Sequence, residues 1–377
     1  MKSLPRPLEE LCSSEVVLID PKREPNHQFS YVDISSVDNV TKRITGAQRV
    51  KGATASVRAR QVIQKDDILV STTRPNLNAV AKVPNELDGQ ICSTGFCVLR
   101  CGSELDPDYL FAFVQSKAFI EKISELVQGA LYPAVTERQV LAQTIPWVPK
   151  DQQKQIAKKL HAELDIVASA RAATMIQFNE LTKLSASIVY RSLNEKKTTP
   201  RFLGDALCEV KNGIGSDWKK YPVMGATRAG LAPAKERPGK YPERYKPVFP
   251  GTVFYNPMRI LIGSIAFVDD DDQPGITSPD YVVLTGKDSV VDSRWFYHWL
   301  KSPLGEQCIN SLARGAVRER MLFNRLAEGE VELPDFAAQA KASKALAEIK
   351  PMRAAIEKQF QELELMPKKL LANFFES

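Results

Sequence analysis

The sequence is poor in the residue types that catalytic and metal sites use most often. It contains only three histidines and six cysteines in 377 residues. The wide separation of His27, His161 and His298 argues against a nucleophile triad. No stretch reaches about 18 consecutive apolar residues, the length of a membrane span, and the N-terminus lacks the apolar region of a secretory signal. We therefore expect a cytoplasmic protein with no membrane association and with reduced cysteines.

Nucleotide, cofactor and metal motifs are missing as well. Nothing fits the P-loop pattern GxxxxGK[ST], and no glycine-rich loop follows a strand and opens a helix. The spacing of Cys92, Cys97 and Cys101 fits no common zinc module, so we interpret them as strand-packing cysteines. The run Asp269–Asp272 lacks the ligand spacing of a calcium loop and is typical of a solvated turn. We expect no cofactor, no metal and no catalytic residue.

Basic side chains are concentrated in two parts of a chain whose net charge is +6. Six cations and no acid lie between Val40 and Arg60, and residues 199–260 hold eleven cations against five acids. We call residues 41–60 the first basic segment and residues 225–247 the second basic segment. Their glycine and proline content predicts loops, and clustered cations favour a polyanionic partner.

The second half of the chain repeats the pattern of the first half. DILVSTTR (67–74) aligns with TVFYNPMR (252–259), which places Arg74 over Arg259 after a shift of 185 residues. Short apolar runs between turn residues are typical of strands. We interpret the repeat as an internal duplication of one α+β unit, with Arg74 and Arg259 at equivalent strand ends.

Helical patterns follow the strands within each unit. LDPDYLFAFVQS (105–116) predicts a helix that starts near Asp106 or Asp108. Its counterpart carries an aromatic run, and we expect core packing for these rings rather than a base-stacking platform: Trp295, Phe296, Tyr297 and Trp299.

A long helix is predicted after each unit. Residues 151–193 contain no proline or glycine, and a helix of this length measures roughly 65 Å. The residues that we predict to pair the two helices recur in steps of mostly three, four or seven: Leu160, Leu164, Val167, Phe178, Leu181, Ile188, Ile349, Ile356, Phe360, Leu363 and Leu370. An antiparallel coiled coil would give the duplicated chain a pseudo-twofold axis. The alternative is two independent amphipathic helices, each on its own domain.

The whole chain resembles the specificity subunit of Type I restriction–modification enzymes. The stretches that carry the resemblance are PKREPNHQFSYVDISSVDN (21–39), DDILVSTTRPNLNAVAKV (66–83), DGQICSTGFCVLR (88–100), VPKDQQKQIAKKL (148–160) and LMPKKLLANFFES (365–377). At the helix entries, Pro149 with Gln152–Gln153 matches the family pattern well. Pro334 with Ala337–Ala338 matches it poorly.

The resemblance implies a domain plan and a function. The plan is a first target-recognition domain (1–148), a central spacer helix (149–196), a second target-recognition domain (197–334) and a C-terminal spacer helix (335–377). Each domain would read one half of a bipartite sequence in double-stranded DNA. The helices would hold the halves apart and dock two DNA adenine-methyltransferase subunits, which a motor–nuclease subunit could join. The specificity subunit itself would have no catalysis and no cofactor.

Candidate DNA-contacting residues come from the two basic segments and the two strand ends. Phosphate contacts need cations, and base contacts favour arginine, lysine, asparagine and glutamine. The candidates are Lys42, Arg43, Gln48, Arg49, Lys51, Arg58, Arg60, Arg74, Arg228, Lys235, Arg237, Lys240, Tyr241, Arg244, Lys246 and Arg259. Two rival functions stay open: an enzyme with a diverged motif, and a coiled-coil adaptor for protein partners that does not read DNA.

Overall fold

The computed structural model describes residues 4–13, 15–127, 133–195, 198–313 and 320–376. The chain divides into a first unit, Met1–Ala172 with Phe360–Ser377, and a second unit, Ala173–Gln359. Both units mix helices and short strands, as the α+β prediction expects. None of the described helices has the length and apolar character that crossing a membrane requires.

The first unit begins with short strands and helices. In chain order they are β1 (Leu4–Pro7), α1 (Leu8–Leu11), β2 (Cys12–Ser13), β3 (Gln28–Val32), β4 (Val37–Asp38), β5 (Arg43–Ile44), β6 (Gln48–Lys51), β7 (Ala59–Val62), β8 (Ile68–Ser71), β9 (Val80–Lys82), β10 (Ile91–Ser93), β11 (Phe96–Cys101), α2 (Pro107–Phe113), α3 (Lys117–Glu125), α4 (Glu137–Leu141) and β12 (Thr144–Trp147). The long helix α5 (Lys150–Asn194) follows.

The elements after α5 follow a similar plan. They are β13 (Thr199–Phe202), α6 (Leu203–Ala206), β14 (Leu207–Glu209), β15 (Met224–Thr227), β16 (Gly230–Pro233), β17 (Lys246–Val248), β18 (Val253–Tyr255), β19 (Ile265–Phe267), β20 (Gly275–Thr277), β21 (Val282–Gly286), α7 (Ser293–Leu300), α8 (Pro303–Leu312), α9 (Phe323–Leu326), β22 (Glu330–Leu333) and α10 (Phe336–Phe375).

Sheet topology confirms the internal duplication. The first unit contains a four-stranded sheet in the order β2-β11-β8-β9, and the second unit contains β14-β21-β18-β19 in the same order. We call these two the framework sheets. A two-stranded ladder that leads into the following long helix also recurs, as β1–β12 and β13–β22. The remaining strands differ: the first unit forms the sheet β6-β3-β10-β7 and the pair β4–β5, whereas the second forms the pairs β15–β16 and β17–β20.

The central framework strand of each unit is buried on both faces. In β8, Ile68 and Val70 pack into a core with the helices, and Leu69 enters a second core with other strands. In β18, Val253 and Tyr255 again take the helix side, while Phe254 takes the other. Successive side chains of a strand point to opposite faces, so a continuous apolar run can fill two cores at once. Cys92 and Cys97 are buried in β10 and β11, which confirms the strand-packing interpretation for them.

The aromatic run in α7 packs in the second core as predicted. Trp295, Phe296 and Trp299 are buried there, while Tyr297 is partly exposed and stacks on Phe267. Asp106 caps α2 by accepting hydrogen bonds from the backbone of Asp108 and Tyr109, which also confirms the predicted helix start.

A buried glutamine ties each long helix to its unit. Gln153 Oε1 accepts from the backbone N–H of Asp106, and Gln153 Nε2 donates to the carbonyl oxygens of Glu104 and Val148. Gln339 makes the same three bonds, to Asp292 N–H and to the Val290 and Pro334 oxygens. The second helix entry therefore matches the first at Gln339, and our alignment on Ala337–Ala338 was misplaced.

The long helices run antiparallel within each unit. In the first unit, Lys159 lies over the ring of Phe374 and Arg171 over the ring of Phe360. In the second, Arg353 stacks on Phe178 at 4.9 Å. Of the predicted pairing residues, Leu160, Val167, Ile349 and Leu363 are buried and the others are partly buried. Six of the predicted residues pack into the core of their own unit: Leu160, Leu164, Leu181, Ile188, Ile349 and Leu370. The long helices thus pair with each other and also pack on the rest of each unit. This combines the antiparallel coiled coil with the alternative of helices that lie on their own domains.

Candidate nucleic-acid interface

The first basic segment forms strands where a loop was predicted. It contains β5, β6, a 3₁₀ helix at Gly52–Thr54 and the start of β7. In β6, which is an edge strand, Gln48, Arg49 and Lys51 are exposed, and Val50 packs inward. An apolar residue between two cations is a strand signal that the count of cations hid.

The second basic segment is part hairpin and part loop. Its first residues form the hairpin β15–β16, with Arg228 exposed in the turn. The loop between β16 and β17 exposes the remaining basic candidates with one tyrosine: Lys235, Arg237, Lys240, Tyr241 and Arg244. The 3₁₀ helix Pro242–Arg244 in this loop contacts another at Gly215–Lys220, which adds exposed Lys219 beside Trp218. Lys219 was not among the residues predicted from the sequence, although it lies in the basic run DWKKY between two aromatic residues.

Most of the candidate cations have no acidic partner. Within the described ranges, eleven are exposed and form no ion pair: Arg43, Arg49, Lys51, Arg58, Arg74, Arg228, Lys235, Arg237, Lys240, Arg244 and Arg259. Unpaired surface cations are available to an incoming polyanion without first losing an internal contact.

Three other candidates are engaged inside their own unit. Lys42 Nζ donates to the Asn78 carbonyl oxygen at 2.5 Å, and burial lowers the pKa of Lys42 to about 8. Lys246 Nζ donates to the Tyr281 carbonyl oxygen at 2.7 Å, and burial again lowers its pKa. Arg60 pairs with Asp20 at 2.9 Å. These contacts hold loops in place, so the three cations are less free than the exposed ones.

A short turn follows the central framework strand in each unit. We call residues 74–78 the Arg74 turn and residues 259–263 the Arg259 turn. Each turn has an exposed arginine first, a buried residue second (Pro75 or Ile260), and a residue with positive φ last. That last residue is Asn78 at φ 47° or Gly263 at φ 80°, and both types tolerate the left-handed region.

Each turn lies against a basic hairpin of its own unit. In the first unit, the bond from Lys42 to Asn78 attaches the β4–β5 hairpin, and Asn78 Nδ2 donates to the Val114 oxygen at 2.9 Å. In the second, Ser264 Oγ donates to the Ala226 oxygen at 2.7 Å, and Lys301 Nζ donates to the Arg228 oxygen at 3.0 Å. The hairpin that carries Arg43 is therefore attached to the Arg74 turn, and the hairpin that carries Arg228 lies against the Arg259 turn.

The aspartate run of the second unit is a turn, as predicted, but only Asp270 and Asp271 are exposed to solvent. Asp269 is buried and ion-paired with Arg294, and Lys350 of α10 bonds to Asp271 and Asp272. The partners lie 25 or more residues away in the chain, so local spacing could not reveal them. Among the described residues, no group of three or more histidine, cysteine, aspartate or glutamate side chains is arranged to hold a metal ion.

Comparisons with known proteins find a family model for the first part of the chain and solved structures that share the fold of the whole chain. Residues 6–170 match the family model described as the Type I restriction modification DNA specificity domain. No curated protein sequence matches the chain. A chain from a study of complex assembly and conformational transition in the type I R-M system has a TM-score of 0.73 and 24% identity, with 98% of this chain and 96% of that chain covered.

Two further solved structures share the fold. The HsdS subunit from Thermoanaerobacter tengcongensis has a TM-score of 0.56 and 23% identity, over 99% of this chain and 96% of that one. The S subunit of a Type I restriction-modification system from M. genitalium has a TM-score of 0.50 and 17% identity over the same shares.

Proposed function

We propose, from the match of residues 6–170 to the Type I restriction modification DNA specificity domain, that the chain reads a bipartite DNA target, one half-site with each unit. A specificity domain recognises DNA sequence and is a binding module, in line with the expectation of no catalytic residue. The observation that carries the proposal is the repeated framework sheet with different additional strands and separate exposed cations in each unit. A shared framework supports two readers, and different strands support two different half-sites.

The paired helices support the rest of the proposal. They keep large apolar side chains exposed: Ile166 and Leu365 in the first unit, and Ile176, Tyr190 and Met352 in the second. Such residues suit docking of partner proteins, which we assign to two DNA adenine-methyltransferase subunits, with a motor–nuclease subunit as a further partner. We also propose the predicted four-segment domain plan (1–148, 149–196, 197–334 and 335–377) and a cytoplasmic location, where such a complex reaches DNA.

The test is the methylation pattern of cells that express the chain with its methyltransferase. Sequencing of methylated adenines should recover one motif with two specified halves and a fixed unspecified gap. A single continuous motif would contradict one half-site per unit. DNA binding that is absent at every salt concentration, with methyltransferase binding intact, would favour the adaptor alternative instead.

The helices should set the gap. Insertion of four residues after Ala172 and four after Gln359 adds about one turn, roughly 6 Å, to both helices. The gap should then grow by one or two base pairs, since DNA rises about 3.4 Å per base pair. Insertion of two residues at each place rotates the packed faces and should abolish activity. An active four-residue variant with an unchanged gap would show that the helices are not the spacer.

A further inference from the structure

The Arg74 turn and the Arg259 turn share a feature that the cation pattern does not explain. Each exposes a large aliphatic side chain at the same position, Leu77 at 51% and Ile262 at 66%. The two residues are 185 apart, the shift that relates the framework strands. Isolated exposed leucines are common on protein surfaces. The same exposed position in two diverged copies of a unit is a more specific observation.

The turns are built to hold this side chain outward. The preceding Pro75 or Ile260 is buried, and the following Asn78 or Gly263 adopts positive φ and closes the turn. The neighbouring hairpin is fixed to the turn by side-chain bonds in both units. An aliphatic group displayed on an anchored turn loses little conformational freedom when it meets a partner.

The surroundings of the side chain indicate the kind of partner. Unpaired arginines begin both turns, and the nearby hairpins add Arg43 in the first unit and Arg228 in the second. This cationic setting favours a polyanion with apolar groups in its groove. Duplex DNA fits that description, because phosphates flank a major groove in which thymine presents a methyl group.

We propose that these two turns are DNA-reading elements, in which Leu77 and Ile262 pack on base edges and Arg74 and Arg259 bind adjacent phosphates. The inference rests on the proposed function and adds to it a base-contacting residue in each unit. The second turn offers the larger apolar surface, since Leu261 and Met258 are also exposed there. The corresponding residues of the first unit are Asn76 and Thr73.

The experiment uses the full chain and a duplex selected by it from a random-sequence library. The variants are Leu77→Ser, Ile262→Ser, Arg74→Gln and Arg259→Gln. The controls are Leu4→Ser and Phe202→Ser, which remove exposed apolar groups (75% and 51%) from the β1–β12 and β13–β22 ladders. Thermal unfolding of every variant checks the fold, and Leu77→Ile checks recovery by a similar side chain.

Each serine variant at a turn should weaken binding by about tenfold and relax base preference at one or two positions of one half-site. The half-site should differ between Leu77→Ser and Ile262→Ser. Salt dependence should be unchanged in these variants, whereas each arginine variant should lower the log–log salt slope by about 0.9 with its base preference intact.

Three outcomes would overturn the inference. Turn variants that bind like the ladder controls would show that the side chains do not touch DNA. Loss of methyltransferase binding, with DNA binding and base preference intact, would assign the turns to a protein partner. A wild-type chain that selects no duplex, even with its methyltransferase, would instead contradict the proposed function, and this inference would fail with it.

Discussion

The two units use the same framework sheet but complete it in different ways. The first unit adds the four-stranded sheet β6-β3-β10-β7, in which β3 and β10 are parallel, and presents the cations Arg49 and Lys51 on the edge strand β6. The second adds the pairs β15–β16 and β17–β20 and presents most of its cations in the loop between them.

The difference shows which part of the unit is free to change. The central framework strands β8 and β18 are buried on both faces and pair on both sides, so any substitution there disturbs one well-packed core or the other. Among the additional strands, β6, β15 and β16 pair on one side only and carry exposed side chains. Divergence after duplication is therefore expected in these strands and in the loops beside them, which also carry most of the exposed candidate cations.

The largest effect should come from exchanging those additional elements. Replacement of residues 225–247 with the matching segment of a Type I specificity subunit should change one half-site completely. The other half-site and the gap should persist, because the framework and the helices are untouched. Methylated-motif sequencing measures this, and a simultaneous change in both halves would argue against independent readers.

Removal of the buried glutamine that ties a long helix to its unit should lower the stability of the protein and leave its DNA sequence preference unchanged. Gln153→Leu or Gln339→Leu leaves one backbone N–H and two carbonyl oxygens buried without partners, which costs about 2–4 kcal/mol. Urea unfolding measures the loss, and exposed Gln152→Leu is the matched control. Equal stability of the Gln339 and Gln152 variants would mean that the hydrogen bonds of Gln339 do not stabilise the protein.

Among the cations, exposed and engaged residues should behave differently. Arg237→Gln and Lys240→Gln should each lower the log–log salt slope of DNA binding by about 0.9 if they contact phosphates. Lys246→Gln should leave that slope nearly unchanged, because its ammonium donates to Tyr281 inside the unit. An equal loss of slope in all three variants would refute the distinction.

The smallest effect is a pH dependence of stability that both units share. Burial lowers the pKa of Lys42 and of Lys301 to about 8, below their unfolded values. The unfolded chain then binds more protons between about pH 8 and pH 10, so these lysines make the free energy of unfolding rise with pH there.

The matching experiment compares the wild type with Lys42→Met/Lys301→Met at about pH 7 and about pH 9.5. The variant should show a smaller alkaline gain, or a larger loss, than the wild type. Nearby charges tune the shift, namely Asp38 and Lys368 for Lys42, and Arg353, Glu357 and Arg228 for Lys301. Identical pH profiles would show that neither lysine is buried enough to matter.

Local sequence patterns were sufficient to predict much of this fold. Continuous apolar runs identified β8 and β18, and the shift of 185 residues related their turns. Contacts that join distant residues were beyond local patterns. The bonds of Gln339 to Val290 and of Lys350 to the aspartate run depend on how the chain packs. Whether a cation such as Lys42 is free or engaged depends on the same packing, so the sequence could nominate basic candidates without sorting them.

The two-sided burial of β8 and β18 has an evolutionary consequence. In each unit the alternate residues of this strand pack into separate cores. One core includes the helices and the other includes the additional strands. Mutations that repack the latter core are shielded from the former by a layer of backbone. A lineage can therefore acquire a new target sequence through many small changes on one side, while the side that carries the long helices accumulates none.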